Sequence, residues 1–360
     1  MIKDKLQKYF TLQWHVTAKC DQRCKHCYLF DKSYKKEIRK ELSQEECKRV
    51  IDDFERVLKA WKIKGRISFS GGDPLLRKDF LKLAEYARKK YIDIVILGNP
   101  YHINDNTARK LKKIGISRYQ ISIDGMEKVH DFLRRPGSFK DSVRALKCLK
   151  KHRIKTAVMF TLSKANAEEL IRVIRFVSKL GVDEFDFSRF VPIGENKDFS
   201  SIIQGRKYEE LLKKITKEYE KLEKKGIKTK FGAKESLWKL LYYELGKFKE
   251  LPKDKETIFG GCSLGSRGLT ILAEGTVYAC RRLPIKIGKV PEQSIKDIFL
   301  SSRVLKKLRN LHNYEKCKNC KLKQFCRGCP AVAYSLKGNP FAPDPSCWKI
   351  KNKSIERRKK

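Results

Sequence analysis

TLQWHVTAKCDQRCKHC, residues 11–27, contains the strand and the loop from which the architecture of this 360-residue chain can be argued. The β-branched and aromatic residues from Thr11 to Thr17 predict a strand. Three cysteines follow it directly in the spacing C-x3-C-x2-C, at Cys20, Cys24 and Cys27. We therefore expect a first strand whose carboxyl end carries a cluster of thiols.

This strand is the first of six that alternate with segments of helical period, as in βα units around a parallel sheet. The first helix is expected to start at Ser43, because Glu46 completes a capping box. Six units are two short of a closed barrel, so we predict an α/β fold with a partial (β/α)6 TIM-like barrel and an active site at the carboxyl strand ends. The other five strands are predicted at Arg66–Ser70, Asp93–Leu97, Arg118–Asp124, Lys155–Thr161 and Glu184–Phe190.

The βα rhythm stops after a charged helix predicted from Tyr208 to Lys225. Beyond it, Thr270–Leu272 and Thr276–Ala279 flank the turn Ala273-Glu274-Gly275 and predict a small hairpin. Cysteine-rich loops and short helices are expected after this hairpin. The chain is thus divided into a barrel with its following helices over residues 1–250, a small cysteine-rich α+β domain over residues 251–348, and a basic tail over residues 349–360.

The composition restricts the class of protein. Lys and Arg number 84 against 42 Asp and Glu, a formal net charge of +42, which suggests an acidic partner or adaptation to high temperature. Met1 to Lys19 lacks the apolar core of a signal peptide, and no apolar run reaches transmembrane length. We expect a cytoplasmic protein without a membrane partner, in which clustered cysteines bind metal or perform chemistry.

The number of cysteines in the first loop helps to distinguish between a zinc site and an iron-sulfur cluster. A structural zinc site needs four ligands, whereas an iron-sulfur cluster held by three thiolates keeps one iron open. His26 lies between two of the cysteines and is poorly placed to complete the set. An iron-sulfur cluster is favoured, with zinc or simply buried thiols as alternatives.

The second strand ends in a Gly-Gly-Asp sequence, Gly71, Gly72 and Asp73. Adjacent glycines let a ligand approach the backbone closely, and the Asp73 carboxylate offers an acceptor. The alternative is a tight turn in which Asp73 caps the following helix.

Together these residues resemble the radical S-adenosylmethionine superfamily, whose first loop carries Cx3Cx2C and whose second strand ends in a GGE or GGD motif. The resemblance covers about residues 10–225 and includes the segment Tyr119–Gly125. It implies a 4Fe-4S cluster whose open iron takes the amino and carboxylate groups of S-adenosylmethionine, and a 5′-deoxyadenosyl radical that abstracts a substrate hydrogen. By that resemblance the cluster ligands are Cys20, Cys24 and Cys27, the amino group is held by Gly71, Gly72 and Asp73, and the ribose by Ser122 and Asp124.

Two further residues are assigned to the same mouth of the barrel. Asn99 follows the third strand, and Arg189 ends the sixth. Arg189 is expected to meet the carboxylate of the cofactor, with a merely solvated side chain as the alternative.

Seven more thiols follow in the last hundred residues, and seven do not divide into two closed tetrahedral zinc sites. Their C-x2-C-x5-C-x2-C core would by itself suit a zinc knuckle. The whole pattern resembles the SPASM extension of radical S-adenosylmethionine enzymes, which implies two auxiliary 4Fe-4S clusters. One would be held by Cys317, Cys320, Cys326 and Cys347, and the nearer one by Cys262, Cys280 and Cys329.

The pattern departs from one version of this extension in two places. Cys326 and Cys329 are separated by two residues rather than three, and no extra cysteine precedes Cys262. The second departure leaves the fourth ligand of the nearer cluster open to water or a substrate thiolate.

Enzymes with this extension mostly modify peptides or proteins, so we first predict maturation of a ribosomally made, cysteine-rich peptide. The implied partners are this precursor peptide and a low-potential electron donor such as ferredoxin or flavodoxin. Formylglycine formation is disfavoured, because Arg281 stands where sulfatase maturases carry an Asp.

Two alternatives remain. One is a decarboxylase or oxidase that matures a carboxylated tetrapyrrole or related cofactor, whose acidic groups would suit the positive charge. The other is an RNA-binding or RNA-modifying protein. Nucleic acid is disfavoured, because the basic residues are interleaved with Glu, as in Lys213–Lys225, and form no patch flanked by aromatic residues.

Overall fold

The computed structural model describes residues 9–30, 40–194, 201–232, 234–247 and 257–350. The predicted domain boundary near residue 250 and most of the predicted tail lie outside these residues. Within them, no helix is long and apolar enough to cross a bilayer.

The described strands form a single sheet of ten strands in the order β10-β9-β8-β1-β2-β3-β4-β5-β6-β7. Neighbouring strands from β1 to β7 are parallel, as the βα pattern predicts. The partial barrel is therefore confirmed. The strands are β1 (Tyr9–Thr17), β2 (Lys64–Gly71), β3 (Asp93–Leu97), β4 (Arg118–Ser122), β5 (Thr156–Leu162), β6 (Glu184–Arg189), β7 (Lys230–Phe231), β8 (Gly268–Ile271), β9 (Thr276–Cys280) and β10 (Leu283–Lys289).

Helices cover the outer face of the sheet. They are α1 (Gln44–Trp61), α2 (Phe80–Lys89), α3 (Asp105–Ile114), α4 (Glu127–Leu133), α5 (Ser138–Lys151), α6 (Glu169–Lys179), α7 (Gly205–Lys224), α8 (Trp238–Glu244), α9 (Ile295–Ser301), α10 (Arg303–Arg309) and α11 (Pro330–Lys337). The predicted capping box of α1 is present, since the Glu46 amide donates to Ser43 Oγ at 3.2 Å and the Ser43 amide to Glu46 Oε2 at 2.7 Å.

The hairpin predicted after residue 270 forms as β8 and β9, but its place in the sheet was not foreseen. β8 pairs in parallel with β1, with Thr270 opposite Gln13, so the cysteine-rich region continues the barrel sheet. β10, which also was not predicted, pairs antiparallel with β9. The sheet therefore carries residues of the cysteine-rich region towards the mouth of the barrel.

Alternation along the strands separates an outer apolar face from a polar interior. On β6, the outward Phe187 packs against Trp238 of α8, while Asp186 faces the interior. Arg118 of β4 forms an ion pair with Glu184 of β6 across that interior. The interior of this barrel is therefore lined by charged and polar groups and can take a polar ligand.

Candidate active site

The loop after β1 gathers the first three cysteines in one turn. The Cys27 amide donates to the Cys24 carbonyl at 3.0 Å. Burial, followed by the charges of Cys24 and Cys20, raises the pKa of the Cys27 thiol to about 12. Three thiolates at this loop therefore require a cationic centre, which is what an iron-sulfur cluster supplies.

Side chains from distant strand ends hold this loop. Asn99, just past β3, donates its amide to Cys20 Sγ at 3.4 Å and to Asp21 Oδ1 at 2.7 Å. Arg134, after α4, lies 3.6 Å from Cys24 Sγ. Asn99 therefore lies at the cysteine loop, as predicted from its position after a strand. Arg134 carries no signal in the sequence, because the fold brings it there from more than a hundred residues away.

Asp124 lies behind the loop rather than open to a ribose. It is fully buried, and its Oδ2 accepts from Arg134 Nε at 2.7 Å while its Oδ1 accepts from the Thr161 amide at 2.7 Å. His26 Nε2 also lies 3.3 Å from Oδ2. The structure thus corrects the predicted ribose contact: this carboxylate is occupied in fixing Arg134 and His26. Ser122, half-buried at the end of β4, stays a predicted ribose contact.

The Gly-Gly-Asp segment packs its backbone against the start of the cysteine loop. The Gly72 amide donates to the Thr17 carbonyl at 2.9 Å, and the Asp73 amide to the Lys19 carbonyl at 2.7 Å. A Cβ on Gly72 would lie 1.8 Å from Lys19 O, and Gly71 has a φ of +132°. Only glycine permits this approach, which ties β2 to the cysteine loop.

Asp73 forms the predicted turn, and its contact with a ligand stays a prediction. Its Oδ1 accepts from the Leu75 amide at 3.1 Å and so caps a short helical turn, Pro74–Leu76. Its Oδ2 is buried and has no hydrogen-bond partner among the described residues. Burial raises the pKa of Asp73 to about 7. A buried acceptor without a partner, beside the cysteine loop, fits the amino group of S-adenosylmethionine.

Asp21 and His102 also belong to this site, although sequence reasoning missed both. His102 Nε2 lies 2.8 Å from Asp21 Oδ2, and ligand atoms of Asp21, Asp73 and His102 lie within 4.8 Å of one another. Asp21 directly follows Cys20 in the sequence, and this adjacency to a predicted cluster ligand could have indicated that Asp21 belongs to the site.

Arg189 does not face the cofactor site. On β6 it shares the outward face of Phe185 and Phe187, since side chains alternate along a strand. Its guanidinium pairs with both oxygens of Glu235 at 2.9 Å and both oxygens of Asp344 at 2.7 Å. The predicted contact with the cofactor carboxylate is therefore corrected, because the guanidinium is buried and already paired with two carboxylates.

The later cysteines fall into two groups. Burial alone would lower the pKa of Arg282, but the charges of Cys329, Cys280 and Cys262 raise it, so these three thiols lie within electrostatic range of one guanidinium. The Cys329 amide also donates to Asp344 Oδ2 at 2.7 Å.

The second group contains the other four thiols. Burial, then the charges of Cys347 and Cys320, raises the pKa of Cys317 to about 12. Cys326 is buried, and its pKa is raised by burial and by the charges of Cys347 and Cys317. The structure thus brings together the same four and three thiols that the resemblance assigns to two clusters, which supports that assignment.

Family models identify the class of protein. The model of the radical SAM superfamily matches residues 14–177, and that of the SPASM iron-sulfur cluster-binding domain matches residues 262–321. The chain belongs to the radical S-adenosylmethionine superfamily and is an enzyme with a SPASM domain. Its cofactors are S-adenosylmethionine and 4Fe-4S clusters, which together supply a 5′-deoxyadenosyl radical.

Individual relatives align over almost the whole chain. An Fe-coproporphyrin III synthase of Methanosarcina barkeri is 30% identical, covering 94% of this chain and 87% of that protein. An AdoMet-dependent heme synthase of the same organism is 27% identical, covering 93% and 95%. A mycofactocin maturase of Mycolicibacterium smegmatis is 27% identical, covering 93% and 82%.

A solved structure confirms the fold. SuiB of Streptococcus suis, bound to S-adenosylmethionine, superposes with a TM-score of 0.72 at 17% identity, covering 95% of this chain and 77% of that one. At this identity the likeness concerns the fold alone.

Asp73→Asn is expected to weaken S-adenosylmethionine binding about tenfold or more, because a hydrogen bond to a charged group contributes ~1.5–3 kcal/mol. Without ligand, the folded pKa of about 7 lies above the ordinary value of 3.8. The folded state then holds the proton more tightly than the unfolded state, so the free energy of unfolding falls as pH rises from about 4 to 7. In Asp73→Asn this pH-dependent decrease should be smaller.

Equilibrium binding measures the affinity for S-adenosylmethionine, and urea unfolding at pH 4 and pH 7 measures the change in stability. The exposed Asp297→Asn of α9 serves as control, and unchanged affinity in Asp73→Asn would contradict the assignment.

Proposed function

We propose that this enzyme abstracts hydrogen from a carboxylated tetrapyrrole and decarboxylates or oxidises it. The observation that carries the proposal is the similarity, over more than nine-tenths of the chain, to a heme synthase and an Fe-coproporphyrin III synthase. Peptide maturation was the first prediction from sequence. The similarity to these relatives favours a tetrapyrrole substrate over a peptide substrate.

The charge of the protein supports an acidic substrate. The formal net charge is +42. A cavity of about 100 Å³ in the barrel is lined by three basic side chains, Arg118, Lys230 and Lys234, and by two acidic ones, Glu184 and Asp186. Porphyrin carboxylates are anionic at neutral pH and would be attracted to such an interior. The low dielectric of a site closed to water would strengthen that attraction.

The residues of this chain then have separate tasks. Asp73 and the Gly71–Gly72 backbone bind the methionine end of the cofactor, while Asn99 and Arg134 orient the cysteine loop. The charged interior orients the substrate under the mouth of the barrel. Removal of a hydrogen atom by the 5′-deoxyadenosyl radical, and of one electron by an auxiliary iron-sulfur cluster or an external acceptor, would let a propionate side chain release CO2 and become a vinyl group.

A peptide substrate is the second candidate, and the mycofactocin maturase favours it specifically. The open cysteine set of Cys262, Cys280 and Cys329 would suit a peptide thiol. Either reaction needs electrons to start, and we propose a low-potential donor such as ferredoxin or flavodoxin in the cytoplasm.

Incubation with iron coproporphyrin III is the discriminating experiment. Anaerobically reconstituted enzyme, S-adenosylmethionine and dithionite are expected to yield 5′-deoxyadenosine together with porphyrin that has lost CO2 and two hydrogens per converted propionate. Mass spectrometry of the pigment measures this loss, and omission of S-adenosylmethionine is the control. Cleavage of the cofactor with the porphyrin unchanged in mass would contradict the tetrapyrrole proposal.

A further inference from the structure

We propose that the surface beside the second thiol group docks an acidic electron-transfer protein, whose carboxylates pair with exposed lysines around these thiols. This inference rests on the proposed function and deepens it. The proposed reaction exchanges electrons with a carrier, and the inference names the place on this chain where that carrier binds.

The segment from Arg303 to Lys323 differs in charge from the rest of the chain. It contains eight basic residues and a single acidic one, Glu315, whereas the whole chain has 84 basic residues against 42 acidic ones. The side chain of Glu315 accepts from Asn339 Nδ2 at 2.9 Å. The segment is therefore a concentrated positive region even in a strongly basic protein.

Most of this charge is exposed and has no opposite charge beside it. On the barrel helices, lysines pair with a glutamate one turn away, as Lys89 does with Glu85 and Lys213 with Glu209. Lysines that lack such a partner remain available to the carboxylates of another protein. Five exposed lysines of the segment form no ion pair within the described ranges, and we call them the lysine surface: Lys306, Lys307, Lys316, Lys318 and Lys321.

Three residues of the lysine surface are neighbours of cluster thiols in the chain. Lys316 and Lys318 flank Cys317, and Lys321 follows Cys320. The Cys320 amide donates to the Cys317 carbonyl at 2.9 Å, which closes a short helical turn, and both thiols are only half-buried. A protein that docks on these lysines therefore comes close to the thiols that would hold a cluster, as electron transfer requires.

The other two lysines belong to α10, whose end is fixed to the same turn. The side-chain amide of Asn313 donates to the Lys307 carbonyl at 2.8 Å. The next residue, Tyr314, accepts from the Lys318 amide at 2.8 Å through its carbonyl. Lys306 and Lys307 thus lie on a segment that adjoins the cysteine turn and enlarge its positive surface.

The kind of partner follows from charge and from the absence of a stacking surface. Clustered positive charge attracts an acidic protein and accelerates its association. Proteins that bind single-stranded nucleic acid combine positive charge with aromatic rings on which bases stack. The single aromatic residue between positions 303 and 323 is Tyr314, which is buried. An acidic protein is therefore favoured over RNA.

The proposed reaction also defines what such a partner does. After a hydrogen atom has been removed from the propionate, the loss of CO2 leaves one electron to be taken up. An oxidised carrier with a flavin or an iron-sulfur cluster takes this electron and is reduced by one electron, while the substrate side chain becomes a vinyl group.

The test is binding of two acidic probes, oxidised flavodoxin and oxidised ferredoxin, to anaerobically reconstituted enzyme by calorimetry. At low salt, at least one should bind the parent. Joint replacement Lys316→Gln, Lys318→Gln and Lys321→Gln is expected to raise its dissociation constant about tenfold, and salt should reduce the difference by screening. The matched control, Arg109→Gln, Lys110→Gln and Lys113→Gln, removes three exposed charges of α3 and should bind as the parent does.

A rate measurement separates docking from damage to the protein. Reduction of the reconstituted enzyme by the reduced probe should slow in the lysine variant, whereas reduction by dithionite, a small molecule that needs no docking surface, should proceed as in the parent. Iron content establishes that the variant holds its clusters.

Three results would overturn the docking surface. They are failure of both probes to bind the parent, equal affinity of the parent and the lysine variant, and equal weakening in the two triple variants, which would be an effect of net charge alone. Single-stranded RNA that binds through these lysines while neither probe binds would identify a nucleic-acid surface instead. Iron coproporphyrin III that stays unchanged with dithionite, while the lysine variant still binds the probe more weakly, would overturn the proposed function and leave the docking surface intact.

Discussion

Alanine at Cys20, Cys24 and Cys27 together is expected to abolish reductive cleavage of S-adenosylmethionine and to lower the iron content of reconstituted protein from about twelve to about eight atoms per chain. By the proposed assignment one cluster has its thiolates on this loop, and the cofactor can be cleaved only where an iron is open. The auxiliary thiols lie in separate groups and keep their iron. Iron analysis and chromatography of 5′-deoxyadenosine measure the two effects.

Cys148→Ala gives the matched control. This half-buried thiol of α5 belongs to neither thiol group and to no part of the loop. Its replacement should change neither iron content nor cleavage. Cleavage that persists in the triple variant, or stoichiometric zinc in the parent without visible absorption, would show that the first loop does not hold the cluster.

Arg189→Met is expected to lower the free energy of unfolding by about 3–5 kcal/mol, because it leaves buried charges without their partner. Glu235 and Asp344 are 6% and 1% exposed, so water cannot replace the guanidinium. Asp344 also accepts from the Cys329 amide, so the variant should lose auxiliary iron more readily. Urea unfolding under anaerobic conditions measures the stability, and iron retention during dialysis measures the second effect.

Arg175→Met provides a comparison with the same chemistry at the surface. Arg175 makes two hydrogen bonds of 2.7 Å with Glu218, but its side chain is 57% exposed. We expect a loss of about 1 kcal/mol or less, because solvent screens an exposed pair. If both variants lost the same free energy of unfolding, the buried ion pairs of Arg189 would stabilise the fold no more than a surface ion pair does.

Much of the chemistry followed from local sequence. The C-x3-C-x2-C loop after a strand and the Gly-Gly-Asp turn are short segments whose residues lie within a few positions of one another. Each strand prediction likewise depended on a run of five to seven neighbouring residues, and the six barrel strands were confirmed within about two residues at each end. β10 was missed, although Leu283, Ile285 and Ile287 alternate as a strand requires.

The direction of a side chain and the partners of a charge could be read only from the tertiary structure. Position at a strand end suggested that Arg189 faces the cofactor, yet alternation on β6 turns it outward to Glu235 and Asp344, which are distant in sequence. Asp124 was assigned to a ribose, but the fold brings Arg134 and Thr161 to its two oxygens.

The pair of Asp21 and His102 could be found only in the folded chain. These two residues are 81 positions apart in the sequence, and the fold brings His102 Nε2 to 2.8 Å from Asp21 Oδ2. Motifs within one loop are specified by local sequence because few residues are needed to form them. The partners of a buried charge are specified only when long-range packing removes water and brings distant residues into contact.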